Sequence, residues 1–278
     1  MNLFDMKYTY ILKHVLSMES YRNVRTGKNV KAVPTVYLEI YKDSFPALTL
    51  RDIKPLWSFA EAVWFTSGSS NLDFMHKFKF NTWDKFSDPD GKVRSATGYR
   101  WRHMFGIDQL ANVVMALDQD RSTRRAVLNN WSPYVDLAHA GKNVPCIVSV
   151  HLHILNEALH MSVFQRSADL FFGFPHDILG MRIIQELVAA RLEVRIGTLG
   201  YFISNAHLYE DQWDAASEMI TRGMALNVDH TEIFNLNLKK EHYYRAFAGD
   251  STLVTELYDY FKKWYKPLAE IKGPRIVV

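Results

Sequence analysis

Apolar residues recur at helical spacing at the start of the chain, where Leu3, Met6, Tyr10, Leu12 and Val15 predict a helix ending near Glu19. Residues 21–31 are polar and hold Arg22, Arg25, Gly27 and Lys28, so they read as a mobile loop. Strict alternation follows: Val36, Leu38 and Ile40 interleave with Thr35, Tyr37 and Glu39, the signature of a strand buried on one face. Over residues 51–65 the period is helical again, with Ile53, Leu56, Trp57, Ala60 and Trp64 on one side. Residues 71–106 mix aromatic and charged positions around a turn at Asp88-Pro89-Asp90-Gly91. A helix over 108–117 and a strand over 124–131 come next. Strands over 146–155 and 158–166 flank Asn156-Glu157 as a hairpin. Pro175 opens a long helix to Leu192, a strand covers 194–204, and helices close the chain.

This order predicts an α+β fold, a mostly antiparallel or mixed sheet with helices packed on one face. No internal repeat, low-complexity tract or Gly/Ser linker divides the 278 residues, a length that suits one domain over residues 1–278. With 48% hydrophobic residues the chain can fill a core, which excludes a disordered protein. No apolar run reaches the ~20 residues of a membrane span. The first segment carries Asp5, Lys7 and Lys13 within its apolar pattern and is not a secretory signal. A net charge of +3 suits a small anionic ligand and is too weak for a nucleic-acid groove. A single cysteine excludes an intrachain disulfide and an all-cysteine metal site, and a cytoplasmic location is the default.

That cysteine, Cys146, opens an apolar strand, where a lone thiol is more often a small buried hydrophobe than a nucleophile. The hairpin changes the balance, because it places Arg166 across from Cys146, where a cation would favour the thiolate and hold an anion beside it. Arg25, the Arg124-Arg125 pair and Arg166-Ser167 offer forks that match a phosphate, although each alone reads as surface charge. His151 and His153 share a strand face with His160 on the partner strand, but no carboxylate accompanies them at metal-ligand spacing, so no metal is expected. Trp83, Tyr99 and Trp101 could stack on a flat heterocycle, with core packing as the commoner role. The apolar ending Ile276-Val277-Val278 predicts a docked tail.

Longer motifs carry a resemblance. Pro145-Cys146, the run QRSADLFFGFPHDI from Gln165 to Ile178 and the run NAHLYEDQ from Asn205 to Gln212 resemble the thymidylate synthase superfamily. RTG at Arg25 to Gly27, EAVWFTSG at Glu61 to Gly68, TWD at Thr82 to Asp84, STRRAV at Ser122 to Val127 and the IKGP tail follow in family order. The resemblance implies an α/β sandwich whose sheet forms a homodimer interface. It implies folate-dependent one-carbon transfer from 5,10-methylenetetrahydrofolate to a pyrimidine nucleoside monophosphate, with no metal. Cys146 is then the nucleophile that adds to carbon 6 of the ring. Arg25, Arg166 and Ser167 hold the phosphate, with Arg124 and Arg125 reaching it from the neighbouring subunit. His207 and Tyr209 bind the sugar hydroxyl, Glu61 organises water and proton transfer, Asp169 and Trp83 contact the folate, and Gly173 leaves room for it.

The departures from the family pattern refine the expectation. Synthases have Asn where this chain has Asp177. Uracil suits an amide, whereas a carboxylate accepts from the amine and the protonated ring nitrogen of cytosine. In this respect the chain resembles phage-type deoxycytidylate hydroxymethylases, and Asp177 joins Cys146 and Glu61 as a catalytic candidate. Ile147 stands where synthases have histidine. Asn143 replaces a leucine and Arg275 a small apolar tail residue, both making the folate pocket wetter. Hydroxymethylation of dCMP is therefore favoured, ahead of methylation of dCMP to the 5-methyl product, and after these hydroxymethylation of CMP or thymidylate synthesis from dUMP. A phage-encoded origin and a role in supplying modified cytosine for DNA extend the resemblance. Thr97 replaces the family tyrosine implicated in removing the proton from carbon 5, so Tyr99, or a water held by Thr97 and Glu61, must assist. A silent nucleotide- or RNA-binding relative is the contrasting reading, against which the complete Cys146, Arg166, Asp169, His207 and Tyr209 set speaks.

Overall fold

A computed structural model describes residues 2–137, 144–226 and 234–271. Asn143 and Arg275 lie outside the described residues, as does the tail beyond Ile271. The strands are β1 (Ser20–Arg22), β2 (Asn29–Val33), β3 (Val36–Ile40), β4 (Val127–Asn129), β5 (Ile147–Leu155), β6 (Ala158–Gln165), β7 (Ala168–Asp169), β8 (Arg195–Ile203) and β9 (Ala206–Tyr209). The helices are α1 (Leu3–Leu16), α2 (Leu56–Ser67), α3 (Asp73–His76), α4 (Thr97–Tyr99), α5 (Gln109–Gln119), α6 (Pro133–Asp136), α7 (Gly173–Leu192), α8 (Trp213–Ala225), α9 (Lys240–Phe247) and α10 (Ser251–Trp264).

A mixed five-stranded sheet, ordered β3-β8-β6-β5-β4, forms the centre; only β6 and β8 run parallel in it. Side chains alternate as the sequence predicts, so Val150, Leu152, Met161, Val163, Leu199 and Tyr201 face one side and are buried. On that side lies α7, which packs against the sheet, α2 and α9 and is buried along nearly its whole length. Its internal polar residues bind the sheet's backbone: Arg182 donates to the carbonyls of Ile40, Tyr41 and Gly197, and Gln185 to those of Leu159 and Thr198. The two-residue loop Asn156-Glu157 has φ of 50° and 57°, the left-handed pair that matches the twist of the β5–β6 hairpin.

Several expectations need correction. Residues 21–31 are not a mobile loop: β1 and β2 pair as an antiparallel hairpin, and β2 continues into β9 and β7 as a second, four-stranded sheet. The exposed, basic β1 has no apolar alternation to reveal it. The helix expected from residue 51 starts at Leu56, after Lys54 at φ 57° and Pro55. The strand expected over 124–131 shortens to β4, leaving Arg124 and Arg125 outside it. Trp101 is fully buried and has no face free for a heterocycle.

Candidate active site

Several chain segments converge where β5 begins. The hairpin register puts Ile147 opposite Gln165, and the Arg166 amide donates to the Cys146 carbonyl at 2.8 Å. Arg166 then turns back on the loop that carries the thiol: Nε donates to the Pro145 carbonyl and Nη2 to that of Val144, both at 2.9 Å. The expected opposition of Arg166 and Cys146 is therefore present, and one arginine both braces the cysteine loop and supplies charge beside it. Cys146 is exposed, which corrects the reading of a buried hydrophobe. Burial by the surrounding walls nevertheless pushes its thiol up, while Arg166 and, more weakly, Arg25 pull it down. Accessibility combined with strong desolvation is what a deep cleft produces.

The second sheet brings the other residues to this cleft. β7 and β9 pair Asp169 with His207. The Ser167 hydroxyl lies 3.5 Å from His207 Nδ1, and the His207 and Tyr209 rings meet edge to face at 5.1 Å. Arg25, in the β1–β2 connection, is a charge bearing on Tyr209, so the segment first read as loop delivers its arginine from a hairpin. Asp169 Oδ1 accepts the amides of Phe171 and Phe172, and Oδ2 accepts Gln212 Nε2 at 2.9 Å. Gln212, inside the NAHLYEDQ motif but without an assigned role, thus joins the Phe171 and Phe172 amides in fixing the Asp169 carboxylate.

The first turn of α7 carries Gly173 and Asp177. A Cβ on Gly173 would meet only Asp177 Oδ2, at 3.9 Å, so the protein itself does not demand a glycine here and the space before it is open. Asp177 Oδ2 accepts Gln165 Nε2 at 2.9 Å. That amide also donates to the Ser167 carbonyl at 3.0 Å, and the two acceptors fix which way it points. Burial pushes the Asp177 carboxyl up to about 6, with the Gln165 bond opposing and Asp169 adding repulsion. Glu61, on α2, accepts the Trp83 indole N–H at 2.6 Å. Burial, reinforced by Asp177, pushes Glu61 up to about 8, with the indole bond opposing. Two neighbouring carboxyls pushed up toward neutrality by burial, near a thiol, are able to hold and pass protons.

Other expected residues fall differently. Arg124 and Arg125 are exposed ahead of β4, and neither is among the charges bearing on Cys146, His207 or Tyr209. Thr97 is buried and its hydroxyl lies 3.4 Å from Asn130 Nδ2. It is pressed onto α2 at Gly98, where a Cβ would stand 2.2 Å from the Phe65 carbonyl oxygen. Tyr99 lines a separate cavity of about 500 Å³ with Phe86, Pro89 and Val135, which none of Cys146, Glu61 or Asp177 lines. His153 and His160 stack at 5.3 Å on the far face of the sheet, and no metal-holding group of His, Cys, Asp or Glu occurs among the described residues.

A family profile described as thymidylate synthase matches residues 6–266, nearly the whole chain. The chain belongs to the thymidylate synthase family. Among curated proteins it is similar to the thymidylate synthase of Buchnera aphidicola subsp. Baizongia pistaciae (strain Bp), 27% identical over 244 residues that span 84% of this chain and 92% of that one. The fold is accordingly the thymidylate synthase fold, with mixed sheets packed by helices. Membership brings folate-dependent one-carbon transfer to a pyrimidine nucleotide, with methylenetetrahydrofolate as cosubstrate. The family is typically dimeric. No helix among the described residues is long and apolar enough to cross a membrane.

Proposed function

We propose that this family member transfers the one-carbon unit to carbon 5 of dCMP and releases 5-hydroxymethyl-dCMP. The observation that carries the choice of base is Asp177, a carboxylate where an amide would suit uracil, held toward the cleft by Gln165. A carboxyl pushed up to about 6 can share a proton with the cytosine ring nitrogen, which makes carbon 6 a better electrophile for Cys146. Against uracil the same group would face a carbonyl oxygen and leave a buried acceptor repelled or unpaired.

The remaining roles are those the family resemblance implies, and position supports them. Arg25, Arg166 and Ser167 surround the place for the phosphate, with His207 and Tyr209 beside it for the sugar. The brace of Arg166 on Pro145 and Val144 couples phosphate binding to the placement of the thiol. Methylenetetrahydrofolate supplies a one-carbon unit and, for a methyl product alone, a hydride. Gly173, where an added Cβ would meet only Asp177 Oδ2, leaves room for it, and Asp169 and Trp83 would hold it. Glu61 holds a proton to about pH 8 and can deliver it where an acid is needed. Asn143 and Arg275 support the hydroxymethyl product on their residue type alone, as polar groups in place of apolar ones.

On this reading residues 1–278 act as one catalytic unit within a homodimer. The far face of the five-stranded sheet supports the pairing. It carries a continuous row of Tyr37, Phe202, Phe164 and His151, with ring centroids 4.6, 4.8 and 4.9 Å apart, and among the described residues Tyr37 and Phe202 stay exposed on it. Arg124 and Arg125, exposed ahead of β4, then reach the partner's phosphate. Turnover of dCMP, CMP and dUMP with methylenetetrahydrofolate, with products identified by mass, tests the function. A hydroxymethyl product from dCMP supports it, and thymidylate from dUMP with dCMP untouched contradicts it.

A further inference from the structure

Tyr201 stands on β8 with no accessible surface, and its hydroxyl has no hydrogen-bond partner. The amide oxygen of Gln165 is a second buried atom without one. The first can donate and the second can only accept. Both side chains rise from the core face of adjacent parallel strands. Val163 sits opposite Tyr201 and Gln165 opposite Ile203, so Gln165 and Tyr201 are diagonal neighbours, two positions apart. They also converge on one charge. Gln165 Nε2 donates to Asp177, while Asp177 and Cys146 are the ionisable groups bearing on the Tyr201 hydroxyl. The Tyr201 ring is fixed by an edge contact with Phe174, centroids 5.4 Å apart, one turn before Asp177 on α7.

Native cores rarely leave such atoms unpaired, and two of complementary polarity beside one carboxylate define a place that a single water can bridge. We propose that Tyr201 is a positioning residue for Asp177: its hydroxyl and the Gln165 amide oxygen hold one buried water beneath the pyrimidine site, and this link keeps the Gln165 amide turned toward Asp177. The proposal rests on the reading of Asp177 as the carboxylate that contacts the base. Asp177 is faced by Gln165 from β6, Glu61 from α2, Asp169 from β7 and Cys146 from the loop before β5. Of these, Gln165 favours the ionised carboxyl and Asp169 opposes it. Loosening Gln165 therefore moves the titration of Asp177 upward.

The test is Tyr201→Phe in the full chain, which removes one oxygen and keeps the ring and its packing. Binding and turnover of dCMP and dUMP are followed against pH, together with thermal melting. The KM for the nucleotide is expected to rise roughly 5–20-fold with a smaller change in kcat, and the pH step assigned to Asp177 to move up. Both effects should disappear when Tyr201→Phe is made in an Asp177→Asn background, because the water then has no carboxylate to serve. An unchanged KM and pH profile with a raised melting temperature would show an idle buried hydroxyl and overturn the inference. Wild-type protein that binds neither nucleotide would overturn the functional reading itself, and this inference with it.

Discussion

Cys146 illustrates how much one side chain's meaning depends on its setting. Its residue type allowed both an inert core thiol and a nucleophile, and only the cleft, with Arg166 braced across the loop, separates them. Cys146→Ser should lower turnover at least ~10⁴-fold while nucleotide binding, measured by calorimetry, stays within a few-fold; undiminished product formation would remove covalent catalysis from the account. Asp177→Asn should swing the ratio of kcat/KM for dCMP over dUMP toward dUMP by roughly 10²–10⁴, as expected for a site built to bond one polar edge. The two carboxyls also make a stability prediction. Asp177 and Glu61 bind protons more tightly folded than unfolded, with folded values of about 6 and about 8. Their stabilising contribution is complete below about pH 4 and is lost as pH rises through those values. Melting temperature should therefore decline between about pH 4 and about pH 8, and Glu61→Gln should flatten the upper part of that decline, between about pH 6 and about pH 8; a rise over the same interval is incompatible with protonated carboxyls in the fold.

At the scale of elements, the parts with a strong period were legible in the sequence. Strand β3 and the turn of the β5–β6 hairpin lie where the pattern put them, and α7 was visible from its opening proline although its apolar residues surround the whole helix. The second sheet was not legible. Its strands are short, and β1 is exposed throughout, so pairing rather than side-chain alternation makes them strands. That sheet holds Asp169, His207 and Tyr209, which the motifs identified without showing what holds them. Gln165 and Gln212 sat inside quoted motifs, but nothing in the sequence said which carboxylate each amide would meet. A further support was equally silent. Arg100 and Asp136 form a buried pair at 2.8 Å, and Arg100 also donates to the Asn130 carbonyl at 2.6 Å, tying α6 to β4 beside the cysteine loop. Asp136→Asn should cost about 3–5 kcal/mol, seen as a melting temperature lower by roughly 6–15 °C, because it strands a buried guanidinium. A shift under about 2 °C would mean that the pair is dispensable.

For the whole molecule, the arrangement of arginines sets the quaternary expectation. Arg25 and Arg166 belong to the cleft of their own chain, while Arg124 and Arg125 are exposed just ahead of the edge strand β4. If they complete the partner's site, Arg125→Ala and Cys146→Ser proteins, each inactive alone, should regain about a quarter of wild-type activity when unfolded and reassembled together, since half of the dimers are mixed and each has one intact site. No recovery would show that Arg125 does not complete the partner's site. The central claim, a carboxylate selecting cytosine and water completing the product, is tested most directly by one measurement. Purified protein is incubated with methylenetetrahydrofolate and, separately, dCMP, CMP and dUMP, with nucleotides resolved by mass and dihydrofolate followed by absorbance. The account predicts 5-hydroxymethyl-dCMP from dCMP without dihydrofolate. Thymidylate from dUMP with stoichiometric dihydrofolate, and no product from dCMP, would contradict it.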